Sequence, residues 1–270
     1  MNKKVAVIMS VYKSDSLKQF KAAVESVLSQ THPVDLFIIQ DGGVENSLSS
    51  YIYDLSLEGN VFFHKFNENR GLSKALNYLL DVVLTSDYDF IARMDSDDIS
   101  MKTRIEEQVN FLCAHCDIDV LGTFCREFGS SFALPEKKLP ISHEELLQFS
   151  ITRCPFVHPT VMFRRRVFKS GIRYPTNTKF TEDMGLWFKL LENNFRFANL
   201  PLSLLWFRLS EDTALRRKGW SKALSETSLR LKYMFILKQF SFKNLFLILS
   251  RLVFHIMPVR LIKFAYSHLR

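Results

Sequence analysis

Asp89-Phe90-Ile91-Ala92-Arg93-Met94-Asp95-Ser96-Asp97-Asp98 is an apolar run that breaks into three carboxylates within four positions. A short apolar run without helical spacing reads as a strand buried on both faces. This strand is predicted over 89–94, and its end at Asp95 begins a polar turn. Carboxylates one residue apart on a turn can converge on one hard cation. Mg²⁺ and Mn²⁺ prefer such oxygen ligands and share their shell with phosphates and water. The competing reading is that Asp98 or Ser100 caps the next helix while the other carboxylates stay solvated.

Working outward, the same kind of run recurs. Strands are predicted over 5–9, 34–40, 61–66 and 119–123, with helices over 17–28, 48–57, 72–84 and 101–116 between them. Beyond an irregular stretch at 126–140, the pattern predicts helices at 143–150 and 182–193 and strands at 160–163 and 203–209. Alternation of this kind predicts an α/β fold, a mostly parallel sheet with helices on both faces. Ligands of such sheets bind beyond the carboxyl ends of the strands. The polar residues there are Ser10 and Tyr12 after the first strand, Asp41 after the second and 95–98 after the fourth. The turn after the first strand, Ser10-Val11-Tyr12-Lys13-Ser14-Asp15, lacks the glycines of a dinucleotide-binding turn.

Charge divides the chain. Its 270 residues carry a net charge of +8, yet no Asp or Glu follows Glu226, whereas eight Lys and Arg do. Residues 1–226 therefore hold 28 basic and 28 acidic residues. This predicts a neutral catalytic domain over 1–226 and a basic tail over 227–270. A neutral body without a recognition motif argues against a nucleic-acid partner. The tail interleaves its cations with phenylalanines, and its apolar run at 245–257 is interrupted by Arg251 and followed by Pro258. It is too short and too charged to span a bilayer, and reads as amphipathic helices at a membrane surface. The alternative is a helical appendage packed on the domain. The first apolar run is too short for a secretory signal, so Cys113, Cys116, Cys125 and Cys154 are expected as reduced thiols. The lone Cys113-x-x-Cys116 pair falls in a helical pattern and predicts buried or half-buried thiols, not a zinc site.

Several segments in order resemble glycosyltransferase family 2. They are 5–12, Ser26-Val27-Leu28-Ser29-Gln30-Thr31, Gln40-Asp41-Gly42, Asn69-Arg70-Gly71 through Asn77, Ala92-Arg93-Met94-Asp95-Ser96-Asp97-Asp98, and Glu182-Asp183. The likeness covers roughly 3–210 and is similar to bacterial enzymes that build O-antigen or capsule repeat units, as in lipopolysaccharide. It implies a GT-A, Rossmann-like fold and an inverting, metal-dependent hexosyltransferase. UDP-galactose or UDP-glucose is the favoured donor, with UDP-N-acetylhexosamine as alternative. The implied acceptor is a saccharide on a polyprenyl diphosphate at the cytoplasmic face of the inner membrane.

The resemblance also implies roles. Ser10, Val11 and Tyr12 would edge the base pocket, Asp41 would bind uracil or ribose, and Lys74 and Ser96 would lie along the nucleotide. Asp95 would reach ribose or the metal, Asp97 would ligate Mn²⁺ or Mg²⁺, and Arg208, Arg216 and Arg217 would meet the diphosphate. Asp183 would be the general base, with His158, Glu182 and Trp187 on the acceptor side. Two departures stand out. The family's Tyr-Arg-Ile-His-like segment reads Phe207-Arg208-Leu209-Ser210, without the histidine. Arg216–Trp220 matches the Q-x-x-R-W segment of processive synthases only faintly, which implies a non-processive enzyme.

The chemistry is consistent with one base and one metal. An alcohol is a weak nucleophile at neutral pH, and a carboxylate within reach can take its proton as the new bond forms. Three readings compete with the assigned roles. Thr181, Glu182 and Asp183 also suit a helix N-terminus, and His158 before Pro159 also suits a structural loop. A nucleotide- or glycan-binding protein without catalysis is the alternative of another class.

Overall fold

In the first strand Val5, Val7, Met9 and Val11 share one face and Ala6 and Ile8 the other, and all are buried. Alternation with both faces apolar forces helices onto each side of the sheet. A computed structural model describes residues 3–177, 181–211 and 220–256, apart from the side chains of 221, 222 and 253–256. The strands are β1 (Val5–Val11), β2 (Asp35–Asp41), β3 (Val61–Phe66), β4 (Phe90–Asp95), β5 (Ile99–Ser100), β6 (Val120–Phe128), β7 (Met162–Arg164) and β8 (Phe197–Arg208). The helices are α1 (Leu17–Leu28), α2 (Asn46–Leu55), α3 (Leu72–Leu84), α4 (Arg104–Ala114), α5 (His143–Thr152), α6 (Arg165–Lys169), α7 (Glu182–Glu192), α8 (Trp220–Ile236) and α9 (Phe242–Ile256).

One sheet holds all eight strands in the order β3-β2-β1-β4-β7-β6-β8-β5. The β1, β2, β3 and β4 pairings are parallel, as is β6 with β8, whereas β7 runs antiparallel to both β4 and β6. One core lies between the sheet and α1, α2 and α4; the other lies beneath α3, α6 and α7. The alternating α/β reading therefore holds, and it misses only short or interrupted pieces. β8 begins at Phe197, six residues before the predicted strand, because Pro201 hides its first half. The β6–β8 register shifts around Phe124, where the ladder absorbs the irregularity.

Among the described residues, the chain just beyond Glu226 packs against the domain. The predicted boundary falls inside α8, whose Ala223, Glu226, Thr227, Arg230, Tyr233 and Met234 are all buried. Tyr233 stacks on Phe188 of α7 with ring centroids 4.7 Å apart, and Ile151, Met184, Met234 and Ile248 complete a third core. Two of the tail's cations point inward. Arg230 donates to the carbonyls of Ser150 and Ile151 at 3.0 and 2.9 Å, and Arg251 donates to that of Thr152 at 2.9 Å. These are final carbonyls of α5, which no intrahelical N–H can reach. Glu226 pairs with both arginines at 2.9 Å.

Cys113 and Cys116 are exposed free thiols, which corrects the buried reading; Cys116 lies just past the end of α4.

Candidate active site

The register of the parallel strands brings the predicted residues to one edge. Ser10 stands between Ile39 of β2 and Asp95 of β4, and Val11 pairs with Gln40. The acidic turn follows directly. Carboxylate oxygens of Asp95, Asp97 and Asp98 lie within 4.8 Å of one another, as a shared cation requires. Neither Asp98 nor Ser100 caps a helix, which removes the competing reading: α4 starts after Thr103. Asp98 is instead buried and accepts the backbone N–H of Arg208 at 2.7 Å, while Arg208 Nε donates to the Asp97 carbonyl at 2.7 Å. The Arg208 guanidinium lies 4.4 Å over Phe128. The end of β8 is thereby fastened to the turn.

Charge repulsion shapes this turn. Burial, then Asp95 and Asp15, raise the Asp97 carboxyl to about 6. Burial, then Asp95 and Asp97, push Asp98 well above the carboxylate range. One buried oxygen of Asp98, Oδ2, has no hydrogen-bond partner among the described residues. Three crowded oxygen donors, one of them orphaned, fit a divalent cation bound by carboxylates. Asp95 pairs with the buried guanidinium of Arg93, whose charge burial opposes and Asp95 sustains.

The hydroxyl of Ser96 donates to Asp15 at 2.8 Å, and Asp15 also accepts the Tyr12 N–H at 3.0 Å. Asp15, raised to about 6 mainly by burial, therefore ties the β1 turn to the acidic turn. Tyr12 is exposed, whereas Val11 is fully buried and reaches the edge only through its backbone. Asp41 is buried too. Its two oxygens accept the N–H groups of Arg70 and Gly71 at 2.7 and 2.9 Å, so only their second lone pairs remain for a nucleotide. Gly42, at φ +85°, packs so closely on Asn69 that a Cβ would lie 2.7 Å from its backbone nitrogen. Lys74 is exposed in the first turn of α3.

On the other side, His158 Nε2 meets the Tyr174 hydroxyl at 2.9 Å, and burial with the nearby Arg93 charge keeps this imidazole far below its usual range. Asn77 holds Tyr174 by both backbone groups at 2.9 Å. Burial raises the Tyr174 phenol, and Arg93, Asp183, Asp95 and Glu182 all act on it. Asp183 accepts the half-buried Cys154 thiol at 3.7 Å, and desolvation and this carboxylate push the thiol up to about 12. Trp187 departs from expectation: it is fully buried against Phe156 and Phe163 and lines no surface. Arg216 and Arg217 lie outside the described residues.

Asp15, Arg93, Cys154 and Tyr174 were given no role in the site by the sequence reading. Only Asp15 carried a usable signal, an Asp three residues after Tyr12 that suits a turn. Two cavities, of about 420 Å³ beside Glu192 and Lys238 and about 550 Å³ beside Lys3 and Arg166, include no residue of the acidic turn.

Residues 6–171 match the family model for glycosyl transferase family 2. The chain belongs to glycosyl transferase family 2. This glycosyltransferase is 30% identical to the amylovoran biosynthesis glycosyltransferase AmsE of Erwinia amylovora over 97% of each chain. It is 33% identical to the UDP-Gal:alpha-D-GlcNAc-diphosphoundecaprenol beta-1,3-galactosyltransferase of Escherichia coli, over 83% of this chain and 80% of that one. Among solved structures, mannosyltransferase PcManGT of Pyrobaculum calidifontis in complex with GDP-Man and Mn²⁺ superposes with a TM-score of 0.63 at 13% identity, covering 99% and 85% of the two chains. The glycosyltransferase therefore has the GT-A, Rossmann-like fold. The family match ends before Asp183 and Arg208, while the full-length likeness to AmsE extends past both.

Proposed function

We propose that this glycosyltransferase is an inverting, non-processive hexosyltransferase that requires Mn²⁺ or Mg²⁺. It moves galactose or glucose from a UDP-sugar to a sugar hydroxyl of a polyprenyl-diphosphate-linked acceptor. The reaction belongs to O-antigen or capsule assembly at the cytoplasmic face of the inner membrane. The observation that carries this reading is the meeting of three aspartates within 4.8 Å at the strand ends. The names of the E. coli and Erwinia relatives support the donor, the lipid diphosphate and the polysaccharide setting. The Mn²⁺ of the archaeal mannosyltransferase complex agrees with the donor set found here.

Asp97 and Asp95 would hold the cation, which when bound neutralises the departing diphosphate. Ser10, Tyr12 and the Val11 backbone edge the base, Asp41 and Lys74 flank the ribose and phosphates, Ser96 holds the turn, and Arg208 faces the diphosphate. Asp183 takes the proton of the attacking hydroxyl, and His158 and Glu182 orient the acceptor. In-line attack on the anomeric carbon breaks its bond to the diphosphate oxygen and inverts the configuration, as in glycosyl transfer through an oxocarbenium-like transition state. No covalent enzyme intermediate is needed.

A panel of UDP-sugars tested on a synthetic polyprenyl-diphosphate acceptor checks the assignment. UDP release and a β-linked product, read from proton coupling constants, are expected with UDP-galactose or UDP-glucose. An α-linked product overturns the inverting mechanism. Release only with UDP-N-acetylhexosamine overturns the donor.

A further inference from the structure

The turn between α8 and α9 exposes a cluster of rings that the fold does not use. Phe235, Phe240, Phe242 and Phe246 are 62%, 49%, 82% and 70% exposed. They form one patch: Phe235 stacks on Phe240 with centroids 5.4 Å apart, and Phe240 meets Phe242 edge-on at 5.8 Å. The patch is held in shape. Asn244 donates its backbone N–H to Ser241 Oγ at 3.0 Å and its side-chain amide to the Gln239 carbonyl at 2.8 Å. Lys238 takes the left-handed conformation (φ 55°) that reverses the chain. Contiguous exposed aromatics on a fixed turn mark a surface that meets something apolar.

The surrounding charge selects the partner. Lys238 and Lys243, neighbours of the rings in the turn, are exposed, and no acidic residue follows Glu226. Glu192 of α7, beside the same cavity as Lys238, accepts the Tyr233 hydroxyl at 3.2 Å. Among the described residues no helix is long and apolar enough to cross a membrane. A fixed apolar tip with a lysine rim matches an anionic bilayer surface, where rings enter the acyl boundary and cations meet phosphate headgroups.

We infer that the α8–α9 turn is a membrane-docking wedge, with Phe242 and Phe246 entering the lipid and Lys238 and Lys243 contacting anionic headgroups. This rests on the membrane setting proposed above and names the surface that provides it. It also revises the tail's charge: Arg230 and Arg251 are bound within the protein, so the described wedge relies on Lys238 and Lys243.

The test uses the full chain and vesicles of phosphatidylglycerol and phosphatidylethanolamine, with phosphatidylcholine vesicles as the neutral control. Co-sedimentation is expected with the anionic vesicles at low salt, weakening as salt rises. Phe242→Ser with Phe246→Ser should abolish it, and Lys238→Glu with Lys243→Glu should reduce partitioning by more than about fivefold per lysine. Melting temperature and UDP release on a water-soluble acceptor should stay unchanged in both variants, which separates this inference from the catalytic one. Undiminished vesicle binding by the double serine variant overturns the wedge. So does a wild-type dimer that the same variant dissociates without any vesicle binding, since the patch would then join two copies.

Discussion

Asp97 stands where two demands meet. Its carboxylate is crowded by Asp95 and Asp15 and half-sunk in the turn, so ionising it costs stability until a cation arrives. A carboxyl raised in the folded state favours folding most below its unfolded value. That contribution is lost as pH rises from 3.8 to about 6. Metal-free protein should therefore lose thermal stability across this window, Asp97→Asn should lose less, and added Mn²⁺ should restore stability above it. Asp97→Ala should also nearly abolish transfer with the fold intact; near-normal turnover with Mn²⁺ would remove Asp97 from the metal site. Asp183 makes a different prediction. Asp183→Asn keeps the shape and the contact with Cys154 but cannot accept a proton, so turnover should fall about 10²-fold or more with donor affinity unchanged. Weaker donor binding with normal saturated turnover would make Asp183 a binding residue.

Elements explain why the recurrent sequence segments have the residues they do. Ser26 Oγ accepts the Ser100 N–H at 2.9 Å, and the Gln30 amide reaches Ser26, Ser100, Met101 and Ile105. The end of α1 thus props the loop that follows the acidic turn. Gln108 of α4 joins the carbonyls of Leu121 and Thr160 across β6 and the turn before β7. The strand–helix alternation was legible because each buried strand is a dense apolar run ending in a polar break. The acidic turn was legible because its residues are neighbours in sequence. Tyr174 and Cys154 were not, because their partners Asn77, His158 and Asp183 are 16 to 97 residues away. Trp187 misled for a related reason: a tryptophan one turn after Asp183 suggests a lining ring, but only tertiary packing decides which face of α7 is covered. At this scale Glu226 is the sharpest test. Glu226→Gln leaves the buried Arg230 without its counter-charge, and should lower unfolding free energy by about 3 kcal/mol in denaturant titration. A change too small to measure would mean that the α5 carbonyls alone hold both arginines.

Across the whole molecule, the neutral α/β body and the cationic helical hairpin are fused through α5. Its last carbonyls are held by Arg230 and Arg251, and two residues beyond Thr152 the chain reaches Cys154, which touches Asp183. Cutting the chain at Glu226 would therefore do more than free the enzyme from a membrane. The shortened protein should melt earlier and lose turnover on a water-soluble acceptor as well; full activity there would show the hairpin to be dispensable for the site. The same fusion bears on how such genes can recombine. A crossover between relatives that falls after Glu226 joins one parent's arginine to the other parent's α5, and the two were never selected together. The heritable module is the hairpin with α5 and its following loop, so workable chimeras should exchange residues 143–154 and 220–256 as a pair.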